Sequence, residues 1–194
     1  MNDVTTRALA AARAAIATHT RQVPDFPEPG IVFQDLTPVL ADREGLAAII
    51  TALTHGSEDI DLVAGIDARG FLLGGAVGRE LDVGVLAVRK GGKLPPPVHA
   101  VDYSLEYGSA RLEIPAGGID IVGRRVLLVD DVLATGGTVV AAAGLLARAG
   151  AQIAGVAVIM ELAGLGGRET IASALGAELA VHTIVVDGPD PTLT

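Results

Sequence analysis

The sequence predicts an α/β protein with a mostly parallel central sheet flanked by helices. Three observations carry that prediction. Short apolar stretches alternate along the chain with longer helical ones, the pattern of parallel strands joined by helical crossovers. The stretch VLLVDDVLATGGTVVAAAG, residues 126–144, runs from a buried-looking strand through two adjacent carboxylates into a glycine-rich turn and an apolar helix. The chain of 194 residues, 50% of them hydrophobic, suits a single domain with one core, and no repeat, linker or low-complexity segment interrupts it.

The elements follow in order. The first 20 residues are rich in Ala but interrupted by Arg7 and Arg13, and lack the charged start, apolar run and cleavage site of a signal peptide, so they predict an amphipathic helix. Asp61 to Ile66 (DLVAGI) reads as a buried strand, followed by the loop DARG and a Gly-rich apolar helix through Arg79. Gly84 to Val88 is the next strand. Residues 101–114 (VDYSLEYGSARLEI) alternate weakly around a central Tyr-Gly, which suggests a hairpin or a mobile excursion. Arg125 to Val129 is strand again, and Gly137 to Ala149 is apolar almost all round, as a helix buried against a sheet should be. Arg148 suits the negative end of that helix dipole, and Gly150 sits where a C-terminal cap belongs. Ile153 to Met160 and Val181 to Val186 complete the strand set, and GPDPTLT reads as a loose tail.

Composition excludes several classes of function. A formal net charge of −9 argues against a nucleic-acid surface, which normally carries a basic stripe. No charge-free apolar run reaches 18 residues, so no membrane span is expected and the chain reads as soluble. The absence of cysteine removes disulfides, thiolate chemistry and Cys-ligated zinc, which suits a cytoplasmic protein. The four histidines are scattered without metal-ligand spacing. Lysine is used only twice, at Lys90 and Lys93, both beside Arg89 in LAVRKGGKLPPP. That cluster is either a solvated loop or a local anion site on an otherwise acidic protein.

The adjacent acids narrow the chemistry. In an open parallel sheet, ligands bind beyond the carboxyl ends of the strands, where Asp130 and Asp131 lie. Thr135, Gly136, Gly137 and Thr138 then offer two hydroxyls and unhindered backbone N–H groups at a helix start, which favours a phosphate. Taken alone, this turn is equally an ordinary N-capped connection. The carboxylates would repel the same phosphate, so they face something rich in hydroxyls or a metal, and a sugar phosphate satisfies both halves. A P-loop is excluded because Thr138, not Lys, follows Gly137, and the dinucleotide fingerprint GxGxxG does not occur.

The 13 residues Val126 to Thr138 resemble the phosphoribosyl-pyrophosphate motif of the type I phosphoribosyltransferases. PDFPEPGIVFQDLTPVL (24–40), AGIDARGFLLG (64–74), and RKGGKLPPP with YSLEYG (89–97 and 103–108) narrow the resemblance to the adenine-specific branch of that family. The resemblance implies the type I phosphoribosyltransferase fold across residues 1–194, with a flexible lid at about 94–112 and a small base-binding hood at about 1–40. It implies transfer of the phosphoribosyl group of 5-phosphoribosyl 1-pyrophosphate (PRPP) to N9 of adenine, giving AMP, with Mg2+ held mainly by substrate and water rather than by direct protein ligands. It also implies a cytoplasmic homodimer.

Residue roles follow by similarity. Asp130 and Asp131 would hold the ribose hydroxyls, and Ala134, Thr135, Gly136, Gly137 and Thr138 the 5-phosphate. Asp67, Ala68, Arg69, Arg89, Lys90 and Lys93 would meet the pyrophosphate, with a cis peptide between Asp67 and Ala68. The family often has Ser where Ala68 stands. Val32, Phe33 and Gln34 would bind the base, Phe33 by stacking and the other two through their backbone; many relatives carry Arg in place of Gln34. Leu162 is placed either on the other face of the base or in the core. Glu106 is the family's acid or base near purine N7, although outside the motif it would read as an exposed hairpin charge. Tyr107 would reach the leaving group, and Arg69 is grouped with these two as catalytic. Pro96 stands where relatives often have Gly, which would stiffen the lid. The competing readings are a 6-oxopurine or orotate phosphoribosyltransferase, a ligand-sensing regulator without catalysis, and a plain nucleotide-sugar binding protein.

Overall fold

A computed structural model describes residues 3–57, 59–105 and 108–187. Glu106 and Tyr107 therefore lie outside the described residues, as does the tail from 188 onward. The main sheet has seven strands: β3 (Leu62–Ile66), β4 (Gly84–Lys90), β5 (Val98–Leu105), β6 (Gly108–Pro115), β7 (Arg125–Leu133), β8 (Gln152–Leu162) and β9 (Val181–Asp187). Their order is β5-β6-β4-β3-β7-β8-β9, with β4, β3, β7, β8 and β9 mutually parallel and β5 and β6 antiparallel at one edge. A separate two-stranded ribbon pairs β1 (Arg21–Pro24) with β2 (Val32–Asp35).

Alternation along the strands assigns the two faces. Leu62, Ala64 and Ile66 of β3, with Val126 and Leu128 of β7, pack toward α5 (Gly137–Arg148) and Ile171 of α6 (Gly167–Leu175). Val63, Leu127 and Val129 face the other way, toward α1 (Asp3–His19), α3 (Arg43–Leu53) and α4 (Arg69–Glu80). The short α2 (Thr37–Ala41) leads into α3, whose first turn is capped by Asp42 accepting from Gly45 N at 2.7 Å. On α1, Ala12 and Ile16 are buried one turn apart, the spacing that gives a helix one apolar edge.

Strand β7 continues to Leu133 rather than stopping at Val129, so both acids are strand residues. The reason is β8, which runs on to Leu162 and keeps pairing with β7 through Leu133↔Glu161. The segment expected to be a hairpin or excursion forms the hairpin β5–β6, paired from Val98↔Pro115 to Leu105↔Gly108. It extends past residue 112 because Leu112 and Ile114 are buried in the core beneath α5.

The order places β3 first and then builds outward to β4 on one side and β7 on the other. The crevice between the carboxyl ends of β3 and β7 is therefore the switch point of the sheet, where two loops diverge and leave room for a ligand. Helix α4 lies close over this point because Gly70, Gly74 and Gly78 form its sheet-facing edge. A Cβ on Gly74 would come within 3.1 Å of Gly65 Cα, and one on Gly70 within 2.7 Å of Val129 O. Gly70→Ala must push α4 off the sheet, and we expect a cost of roughly 1–3 kcal/mol from this overpacking. Thermal unfolding checks it, with a fall in Tm of several degrees expected and an unchanged Tm contradicting the close approach.

Candidate active site

Three segments meet at the switch point, and the base-side residues lie beside them. The first follows β3, where the Asp67–Ala68 peptide is cis, as the resemblance implies. Asp67 Oδ2 accepts from Arg89 Nε at 3.1 Å and from Lys90 N at 3.3 Å, so this loop is tied to the end of β4. Helix α4 begins at Arg69 with no side-chain cap on Ala68, which leaves its first N–H groups available to a ligand. The Arg89 guanidinium also lies over the Phe71 ring, 5.3 Å from its centre. Lys90 and Lys93 are exposed and form no ion pair among the described residues.

The second segment, the end of β7, contains the acids. Asp131 is 6% exposed, and its backbone N–H donates to Asp130 Oδ1 at 2.9 Å. Arg69 Nε stands 2.5 Å from Asp131 Oδ2 as an ion pair, without hydrogen-bond alignment, and that oxygen has no hydrogen-bond partner among the described residues. Burial is the main reason that the Asp130 carboxyl is pushed up from 3.8 to about 8, and the adjacent Asp131 charge adds to it. At neutral pH the pair therefore favours keeping one proton, because two carboxylates so placed resist ionising together.

The third loop is the glycine-rich turn. Gly136 has φ +81° and caps α5 without any side-chain hydrogen bond, so the first N–H groups of that helix point outward, unsatisfied. Only glycine suits this position, since its φ is positive and a Cβ there would meet Gly167 O at 2.6 Å. The turn thus rests on the start of α6. Thr138 Oγ1 lies 3.3 Å from Tyr103 Oη of β5, which brings the hairpin to the edge of the cradle.

The base-side residues come from the ribbon and from the end of β8. Phe33 of β2 packs edge-on against Phe26, with ring centres 5.3 Å apart at 77°. The Arg69 guanidinium lies 5.6 Å from the Phe33 ring centre, so this one side chain bridges the aromatic and the acidic pair. Val32 is exposed, while the Gln34 amide donates to Asp187 Oδ2 at 2.9 Å and so points toward the end of β9. Leu162 is half-buried and opens the turn Ala163–Leu165.

Two ion pairs near this site escaped the sequence reading. Arg168 grips Glu161 through Nη2 at 2.6 Å and Nε at 3.2 Å, and its Nη1 donates to Val181 O, which fixes the loop between Leu162 and α6. Buried Glu113 pairs with Arg111, its Oε1 standing 3.1 Å from Nε, and also accepts from Gly92 N under the lysine turn. The seven-residue gap from Glu161 to Arg168, across a loop that β8 and α6 fold back together, gives no periodic signal in the sequence.

A sugar phosphate suits this geometry. The N-terminus of α5 can accept a phosphate, the acids beside it hydroxyls, and the cationic β4 end further negative charge. The sequence matches the family model for a phosphoribosyl transferase domain over residues 34–173. It is 65% identical over 156 residues to an adenine phosphoribosyltransferase of Mycobacterium sp. strain KMS, covering 80% of this chain and 90% of that one. The fold matches the crystal structure of adenine phosphoribosyltransferase from Rhodothermus marinus with a TM-score of 0.82 and 45% identity, over 92% of this chain and 99% of that one. It also matches the enzyme from Giardia lamblia complexed with 9-deazaadenine, with a TM-score of 0.81 and 35% identity, over 93% and 98% of the two chains. With the uncapped helix at Gly136, the paired acids and the aromatic beside Arg69 gathered at the switch point, this chain belongs to the phosphoribosyltransferase family, within its adenine phosphoribosyltransferase branch.

Proposed function

We propose that the chain transfers the 5-phosphoribosyl group of PRPP to N9 of adenine, releasing pyrophosphate and giving AMP, a purine-salvage reaction. The observation that carries this reading is the pair Asp130–Asp131 set against the uncapped start of α5. Phosphate on the helix and ribose hydroxyls on the acids leave the C1 carbon of the sugar between the cationic β4 end and Phe33. N9, whose lone pair is free when the imidazole proton of adenine sits on N7, forms its bond to C1 as the bond from C1 to pyrophosphate oxygen breaks, and the N7 proton passes to the Glu106 carboxylate. C1 becomes electron-poor on the way, and negative charge grows on the leaving oxygens.

Each group then has a task. Ala134 to Thr138 hold the 5-phosphate through backbone N–H groups and the two hydroxyls. Asp67 keeps Arg89 and the Lys90 backbone in place, and Arg89, Lys90 and Lys93 meet the pyrophosphate together with Ala68 N–H and Arg69. Phe33 stacks on adenine, the backbone of Val32 and Gln34 pairs with its edge, and Leu162 closes the other side. Glu106 exchanges a proton near N7 and Tyr107 reaches the leaving group; both roles rest on the motif YSLEYG. The hairpin carrying them serves as a lid that excludes water, and the ribbon with α1 serves as the hood of a single-domain enzyme.

Magnesium fits the residues present. The donor set is all oxygen, as a hard cation requires, and Asp131 Oδ2 is buried without a hydrogen bond. Bound mainly through substrate oxygens and water, with the acidic pair facing it, the ion would neutralise charge on the leaving pyrophosphate. A homodimer is supported by the apolar side chains that α4 and β4 leave uncovered, Leu72 at 69% and Val85 at 50% exposure. No helix among the described residues is long and apolar enough to cross a membrane, and with a cysteine-free chain this supports a cytoplasmic enzyme.

Replacing both acids, Asp130→Asn with Asp131→Asn, should abolish PRPP binding as measured by calorimetry with Mg2+ present; full affinity would sink the ribose assignment. The raised pKa of Asp130 gives a second expectation. Between pH 4 and pH 8 the folded state keeps a proton that the unfolded state has lost, so stability falls as pH rises through that window, by up to about 1.4 kcal/mol per pH unit. Asp130→Asn has no such proton and should be more stable than the parent at pH 8.5, by on the order of a few kcal/mol. Urea unfolding of both proteins from pH 4.5 to 8.5 checks this, and parallel pH profiles would contradict it.

A further inference from the structure

The turn that carries the two lysines is built on a buried acid, an unexpected neighbour for a site that must attract an anion. Glu113 of β6 is 5% exposed. Its Oε2 accepts from Gly92 N at 2.9 Å, and its Oε1 accepts from Arg111 Nε at 3.1 Å. Arg111 in turn reaches both oxygens of Asp102 across the hairpin at 3.2 Å, opposite which it is registered. Arg111 also forms the floor of the turn. Gly91 N donates to Arg111 O at 2.8 Å, and a Cβ on Gly91 would come within 3.0 Å of the Arg111 stem. Gly92 has φ +73°, which glycine alone adopts readily. The strand ladder itself joins β6 to β4 at only two registered pairs, Arg89↔Glu113 and Lys90↔Leu112, so it holds the turn weakly.

We propose that Glu113 is a positioning residue for the pyrophosphate-facing cations, acting through the Gly91–Gly92 turn; this inference rests on the functional reading given above. A free carboxylate beneath Lys90 and Lys93 would pair with them and compete with the diphosphate. Here both Glu113 oxygens are engaged, one by a backbone N–H and one by Arg111. The acid therefore fixes the backbone between the two lysines while leaving their ammonium groups to the substrate. The same carboxylate ties that turn to β6, so the base of the hairpin and the cationic turn move as one body.

The test compares Glu113→Ala and Glu113→Gln with the parent, measuring kcat and the KM of each substrate, together with PRPP affinity by calorimetry with Mg2+. Glu113→Ala leaves the Gly92 N–H unpaired and the turn loose, and should raise KM and Kd for PRPP about tenfold while KM for adenine changes less than twofold. Glu113→Gln keeps an oxygen that can accept from Gly92 N and should recover PRPP affinity to within about threefold of the parent. A merely structural role predicts a lower Tm and fewer active molecules with both KM values unchanged, and that result overturns the proposal. If Glu113→Ala does not fold, Arg111→Met carries the test. That variant keeps the stem beneath Gly91 but frees Glu113 to reach the lysines, so KM for PRPP should rise severalfold; an unchanged value overturns the proposal. A parent protein that binds PRPP without making AMP would overturn the functional reading alone, since Kd still reports on Glu113, whereas a parent that binds no PRPP would overturn both.

Discussion

Two carboxylates held side by side at the end of a buried strand resist ionising together at neutral pH, and this constraint organises the site. Without a ligand, Asp130 keeps a proton and Arg69 leans on Asp131. In the proposed reaction a bound sugar with its cation would supply hydroxyl donors and positive charge together, letting the pair ionise and freeing Arg69 to turn toward other negative charge. Arg69 also lies over the Phe33 ring, 5.6 Å from its centre. In that proposal, loading of the sugar and readiness for the base would be joined through one side chain.

The fold serves this arrangement by close approach. Glycine at 65, 70 and 74 lets α4 lie against β3 and β7, so the loops after those strands share one narrow crevice. Gly136 and Gly167 do the same on the other side, seating the phosphate cradle on the start of α6. Bulk is thus excluded where backbone must meet substrate, while the large buried side chains, Leu128, Leu145 and Ile159 among them, fill the layers behind. Burial of each such side chain is worth about 1.5–3 kcal/mol. The rigid part of the molecule therefore lies beneath the site, and the hairpin stands at the edge of the sheet, where it has one neighbouring strand.

Much of this was legible in the sequence because its signals are local. The strand, acids, turn and helix of residues 126–144 follow one another without a break, so chain order alone places charge beside a helix start. The lysine pair was legible as composition, since lysine occurs nowhere else. What stayed hidden depends on contacts between distant segments. Arg69 reads as a pyrophosphate cation, but only folding shows that it stands between Phe33 and Asp131. Strand β7 runs four residues further than its apolar pattern, because pairing with β8 outweighs the low strand preference of aspartate. Glu113 and Arg168 look like surface charges in a one-dimensional reading; their burial and partners exist only once β6 meets β4 and α6 meets β8.

In the proposed reaction the phosphate cradle, the acids and the aromatic act on one substrate pair. The most direct measurement offers adenine, hypoxanthine, guanine and orotate separately with PRPP and Mg2+, and follows nucleotide monophosphate formation. The account predicts AMP from adenine and no comparable product from the other three. Product from a different base would contradict the assignment of Val32, Phe33 and Gln34 to adenine, and binding of PRPP without any product would contradict catalysis itself.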